Sequence, residues 1–138
     1  MVTTHPANGH HPNVQVLRAL YADLSSIGRY TTDDVVLHRA DRTVENPQPI
    51  VGRDEVIAHE TAFVEVTNGT LVMDVEHIAS NDNFGAVFGV IRLKQPRPTV
   101  MPFCGLWRFE NGKIAEHWEN AYDPPALLQV LTEPASPS

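Results

Sequence analysis

The chain has 138 residues, 42% of them hydrophobic and 20% charged, with a net charge of -7; this is the composition of one ordinary globular domain, not of a disordered chain. The acidic balance and the lack of any basic run leave no footprint for nucleic acid or an anionic membrane. The single cysteine, Cys104, excludes an internal disulfide and a cysteine zinc site, and no apolar stretch approaches the roughly 20 residues of a membrane-spanning helix, so the expected setting is cytoplasmic.

Residues 1–12, with His5, His10 and His11 among Pro, Asn and Thr, have no periodicity and are expected to form a flexible leader without fixed metal ligands. Val14, Leu17, Tyr21 and Leu24 recur with helical spacing and predict a helix over 13–27, with Asn13 as N-cap and Gly28 just past the end. Val35, Val36 and Leu37, after Asp33-Asp34, predict a short strand ending near His38. A loop punctuated by Asn46, Pro47, Pro49 and Gly52 leads to a second helix, 53–66, striped by Val56, Ile57, Phe63 and Val64. In that helix His59-Glu60 lacks a second histidine at metalloprotease spacing and reads as a solvated face.

From Leu71 the pattern turns to strands, over 71–78, 84–93, 100–109 and 114–121, separated by Asn81-Asp82-Asn83, Pro96-Arg97-Pro98 and Asn111-Gly112. The last of these is the strongest hairpin signal in the chain. Asp123-Pro124-Pro125 opens a C-terminal helix carrying Leu127, Leu128 and Leu131, and residues 133–138 are expected to be a flexible tail. Helices followed by a run of hairpin-linked strands indicate an α+β fold in one domain, 13–132.

A two-residue turn at Asn111-Gly112 would set Leu106 opposite His117 and Cys104 opposite Glu119 on one face. Trp107 opposite Glu116 and Gly105 opposite Trp118 would then occupy the other. His117 and Glu119 would project together beside Cys104 and Leu106, as in a half-lined pocket, where a carboxylate suits acid–base work. The alternative is an exposed Glu–His ladder pair. Tyr21 and Cys104 equally suit a core aromatic and a small buried hydrophobe. Trp107 and Trp118 read as a sheet-to-sheet interface. A metal site of His38, His117 and Glu119 rests only on one two-residue spacing and is not expected.

The stretch Trp107-Arg108-Phe109-Glu110-Asn111-Gly112-Lys113-Ile114-Ala115-Glu116-His117-Trp118-Glu119 resembles the closing hairpin of SnoaL-like domains of the nuclear transport factor 2-like superfamily. Asp33-Asp34-Val35-Val36-Leu37-His38 resembles that group's first strand, and Gly52-Arg53-Asp54-Glu55-Val56 the start of its next helix. The resemblance covers about residues 13 to 131. It implies a cystatin-like α+β roll: a cone-shaped, strongly curved mixed sheet wrapped around the N-terminal helices, with a deep apolar pocket, dimeric through the sheet. It also implies that Glu119 stands where cyclases and epoxide hydrolases of the group carry a catalytic Asp, with His117 facing the pocket and His38 at a polar strand end. The isomerases' general-base position falls on Arg39, although Tyr21 stands where their oxyanion tyrosine lies. The epoxide hydrolases' triad is incomplete around Arg92.

The expectation is therefore a pocket for a small apolar or aromatic molecule. Glu119, His117 and His38 are the candidate catalytic groups, and Tyr21, Leu106 and Cys104 contact the ligand. Neither a metal nor an organic cofactor is expected. An acid–base enzyme of the cyclase, isomerase or hydrolase kind, a non-catalytic ligand-binding protein and a pure association module all remain open, and fold alone does not choose among them.

Overall fold

A computed structural model describes residues 1–3 and 9–134. The expectations for the leader at 4–8, His5 among them, and for the tail at 135–138 lie outside the described residues. The first helix, α1, is Pro12–Ala22. Proline opens it at little cost, because the first helical N–H groups have no partner within the helix. The cap is His11, not Asn13: His11 Nδ1 accepts the Asn13 N–H at 3.1 Å. Asn13 is buried, and its amide donates to the Asn81 carbonyl at 3.1 Å. The helix stops at Ala22 instead of running to Ile27. Asp23 accepts from the Ser25 N–H and hydroxyl, and such short polar groups compete with the helical backbone bonds. The chain continues as a 3₁₀ turn, Leu24–Arg29.

Strand β1 spans Thr31–His38, β2 is the short Ile50–Val51, and α2 runs Arg53–Val66. Then follow β3 (Val72–Ser80), β4 (Phe84–Leu93), β5 (Thr99–Glu110), β6 (Lys113–Ala121) and a last helix, α3 (Pro124–Leu131). The six strands form one curved mixed sheet in the order β2-β1-β6-β5-β4-β3, open at both edges. Only β1 and β6 run parallel, with Leu37 beside His117 and His38 beside Trp118. Register shifts in β3–β4 and β5–β6 are the local extra residues that bend and twist a sheet.

Strict alternation sorts the sheet's two faces. Val87, Ile91 and Leu93 of β4 and Met101, Phe103, Trp107 and Phe109 of β5 point inward and are buried. Phe84, Phe88, Val100 and Leu106 point outward and are exposed. On the inner side, α1 contributes Val14, Leu17 and Leu20, all fully buried, each worth about 1.5–3 kcal/mol over an exposed side chain. Helix α2 is different: its only fully buried residues are Val56 and Glu60, because this helix covers a cavity more than it fills a core. Among the described residues no helix is long and apolar enough to cross a membrane.

Candidate active site

The β5–β6 turn places Asn111 and Gly112 at φ of 50° and 81°, the positive values that this type of two-residue turn needs. Glu110 pairs with Lys113 and Phe109 with Ile114, and then the register shifts by one residue. Ile114 and Ala115 are consecutive yet both buried, the mark of an extra residue in one strand. Beyond it Trp107 pairs with His117, Leu106 with Trp118 and Gly105 with Glu119.

This overturns the pairing expected from an unbroken ladder. His117 and Glu119 do project into the concave side, but their neighbours there are Trp107, Gly105 and Phe103. Leu106 faces outward, 43% exposed, and has no part in the cavity. Trp107 is 1% exposed in the interior and so cannot form an outer interface. Trp118 does lie on the outer face, stacked on His38 with ring centroids 5.3 Å apart. His38 is also misplaced by the sequence reading. Leu37 points in, so His38 points out, where its Nε2 lies 2.6 Å from Glu116 Oε2.

The cavity, of about 380 Å³, lies between the sheet, α2 and α3. One end is apolar, with Leu24, Phe63, Met73, Ile91, Leu127 and Leu131. The other gathers Arg39, Asp41, His59, Glu60, His117 and Glu119. Tyr21 also lines the cavity; its hydroxyl accepts the Trp107 indole N–H at 3.2 Å, and its ring stacks on Phe103 at 5.7 Å. Burial holds the Tyr21 phenol well above its ordinary pKa, so it stays a neutral donor. Cys104 borders the cavity, half-buried, but it lies at the outward parity of β5 with Leu106 and opposite Phe88, so its side chain does not point in as expected from sequence. Gly105 is needed where it is, since a Cβ there would overlap the Tyr21 hydroxyl and press on Trp107 Nε1.

The polar end is a set of groups pushed in opposite directions. Glu60 is buried, and burial, then the negative charge of Glu119 and the hydrogen bond between the two carboxyls, raise its pKa well above the ordinary value. Burial acts the same way on Glu119, but the hydrogen bond and charge of His59 outweigh it and leave that carboxyl below its ordinary value. Glu119 Oε1 lies 3.1 Å from His59 Nε2 and accepts the Ala40 N–H at 3.3 Å. His59 is raised: burial works against its charge, and the bond to Glu119 prevails. His117 is stacked on Trp107, ring centroids 3.4 Å apart, and burial pulls it down to about 4. Its Nδ1 donates to the Leu106 carbonyl at 2.9 Å, which leaves Nε2 as the acceptor of a neutral ring.

His59 and Glu60 are the groups that the sequence reading assigned to a solvated face. The missed signal is their spacing: Val56, Glu60 and Phe63 fall at i, i+4 and i+7, so Glu60 lies on the apolar stripe. A carboxyl there must be buried and partnered. His59, Glu60 and Glu119 each present one ligand atom, all within 4.8 Å of one another, close enough to converge on a single cation. The catalytic set expected from sequence, Glu119, His117 and His38, is not brought together, because His38 faces outward onto Glu116.

Residues 16–117 match the model of the SnoaL-like domain. No curated protein matches the sequence. Among solved structures, Bal32a, from a soil-derived mobile gene cassette, is 19% identical with a TM-score of 0.74, covering 87% of this chain and 96% of that one. A proposed SnoaL-like polyketide cyclase from Jannaschia sp. CCS1 is 15% identical with a TM-score of 0.73, covering 97% and 99%. A protein of unknown function with a cystatin-like fold, from Xanthomonas campestris, is 18% identical with a TM-score of 0.68, covering 82% and 92%. These likenesses establish the fold.

Proposed function

The chain belongs to the SnoaL-like domain family, and from that premise we propose that it is an acid–base enzyme acting on a small apolar substrate of polyketide or terpenoid type. The observation that carries this reading is the Glu60–Glu119 pair at the polar end of an otherwise apolar cavity. Two adjacent carboxyls whose pKa values are pushed in opposite directions can supply an acid and a base at the same pH. Glu119, ionised and oriented by His59 and the Ala40 N–H, takes a proton from the substrate. Glu60 gives its proton to the substrate oxygen; Glu119 then delivers the proton it took to a different carbon of the enol while Glu60 recovers one from that oxygen, which restores both carboxyls. His117, neutral, offers a further acceptor, and the apolar end seats the hydrocarbon body. His38 and Leu106 have no part in this chemistry.

The test is a screen of epoxides, enones and polyketide mimics, run with a chelator present so that turnover reports on the side chains. Glu119→Gln and Glu60→Gln keep the shape and remove the proton acceptor or its counterpart; each is expected to lower turnover about 10²–10⁴-fold. An unchanged rate in both would sink the reading. If a hydrophobic dye binds while every substrate fails, the protein is a ligand carrier. We further propose that a second copy covers the outer sheet face, where Phe84, Phe88, Val100 and Leu106 are exposed. Light scattering should then give twice the monomer mass, and Leu106→Glu should shift it toward monomer by placing a charge in that interface.

A further inference from the structure

The turn after β1 holds a half-buried arginine whose hydrogen bonds all run to neutral oxygens. Arg42 Nη1 donates to the carbonyls of Glu119 at 2.6 Å and Arg39 at 2.7 Å, with a longer contact to that of His38 at 3.4 Å. Its Nη2 donates to Asn120 Oδ1 at 3.0 Å. A planar guanidinium forked across acceptors from two chain segments acts as a geometric clamp, a task for which a lysine ammonium lacks the shape. One jaw is the turn 39–42. The other is β6 at the residue whose side chain is the candidate base. The same turn carries the Ala40 N–H to Glu119 Oε1, and Arg39 and Asp41, paired at 3.0 Å, to the cavity.

We propose that Arg42 is a positioning residue: it locks the 39–42 turn onto β6, and so aims the Ala40 N–H at the Glu119 carboxylate. The inference rests on Glu119 as the base, but its test reads the protein alone, so the two can fail separately. The other groups facing Glu119 are His59 and Glu60 from α2, His117 from β6 and Tyr21 from α1. Apart from His117, which shares β6 with Glu119 itself, these stand on elements that the clamp does not hold, whereas Arg39 and Asp41 share the turn with Ala40. Opening the clamp therefore removes a donor to the charged carboxylate while leaving most of its surroundings in place. Loss of such a donor raises a carboxyl pKa.

The experiment is nuclear magnetic resonance on the ligand-free protein, comparing wild type with Arg42→Lys and Arg42→Ala. Amide exchange at Ala40 is expected to quicken about tenfold, as for a lost hydrogen bond to a charged group. The Glu119 carboxyl carbon should titrate at higher pH, while amides of the β4–β5 ladder stay protected. Unchanged exchange and titration in both variants would overturn the proposal. So would a loss of protection spread evenly over the sheet, which marks a merely structural residue. Wild-type behaviour in Arg42→Lys would also overturn it, since charge and not the fork would then suffice. Ala40→Pro deletes the N–H with Arg42 intact and should raise the same midpoint; a folded variant with Glu119 unmoved refutes the route through Ala40.

Discussion

The two faces of β6 carry nearly the same chemistry with opposite results. Outside, His38 pairs with Glu116 at 2.6 Å, and Arg108 Nε approaches the same carboxyl at 3.1 Å. Inside, His59 pairs with Glu119 at 3.1 Å, and the third group is another carboxyl, Glu60, instead of a guanidinium. On the outer face burial works against the Glu116 charge, but the hydrogen bonds from His38 and Arg108 outweigh it and hold that carboxyl below its ordinary value. On the inner face burial and a second acid push one carboxyl, that of Glu60, well above its ordinary pKa. Residue type does not make a reactive site. The same His–Glu pair is a surface tie where a cation and water complete it, and a proton store where a second acid and apolar walls do.

The sharpest way to break this contrast is in turnover. Glu119→Gln should cost the two to four orders of magnitude expected of a lost general base, whereas Glu116→Gln should leave the rate of an identified substrate within about twofold. Equal losses would mean that the face of the strand is irrelevant. Stability comes next. Trp107→Ala empties a buried site and strips Tyr21 of its donor, so urea unfolding should show about 3–5 kcal/mol lost. Trp118→Ala, on the outer face, should cost about 1 kcal/mol.

Dependence on pH separates the faces again. His117 has a folded pKa of about 4 against an ordinary 6.5, so the unfolded chain binds more protons between those values. Its contribution to stability is complete above 6.5 and is lost as the pH falls toward 4, by about 3 kcal/mol in all. His117→Gln should flatten that acid limb in denaturation curves. Glu60 has the opposite sign: its raised pKa makes stability decline as the pH rises above the ordinary carboxyl value, and Glu60→Gln should remove that decline. The smallest effect belongs to the outer pair, where His38→Ala should cost about 1 kcal/mol or less in the same assay.

Much of the fold was legible because it is written in local patterns. Helix α2 and strand β4 fall where periodicity and turn residues put them, and Asn111-Gly112 makes the expected turn. The site was less legible, because one inserted residue in β6 decides which partners share its face. Ile114-Ala115, two buried residues in succession, was the available trace of that insertion, and without it Leu106 and Trp107 exchange faces. His38 failed for a related reason: in a strand where Val35 and Leu37 are buried, the next residue must point away. Glu60 was hidden because a charged pair such as His59-Glu60 on a helix ordinarily marks a solvated face. Only the stripe it shares with Val56 and Phe63 betrays it. Arg42 left no trace at all, since its acceptors are backbone carbonyls and an amide that meet only after folding.

The first strand lies beside the last, and this has a consequence for synthesis. Tyr21, His59 and Glu60 leave the ribosome well before Glu119, and β1 has no long partner until β6 follows it out. Until then β3, β4 and β5 can form a ladder whose β5 edge is bare, the kind of edge that recruits foreign strands. The two-residue turn after β5 shortens that interval, because β6 can zip onto β5 as soon as it emerges and present its far side to β1. The polar end of the cavity is thus the last feature the nascent chain completes, and a stall inside β6 would leave an open sheet without Glu119 beside His59 and Glu60.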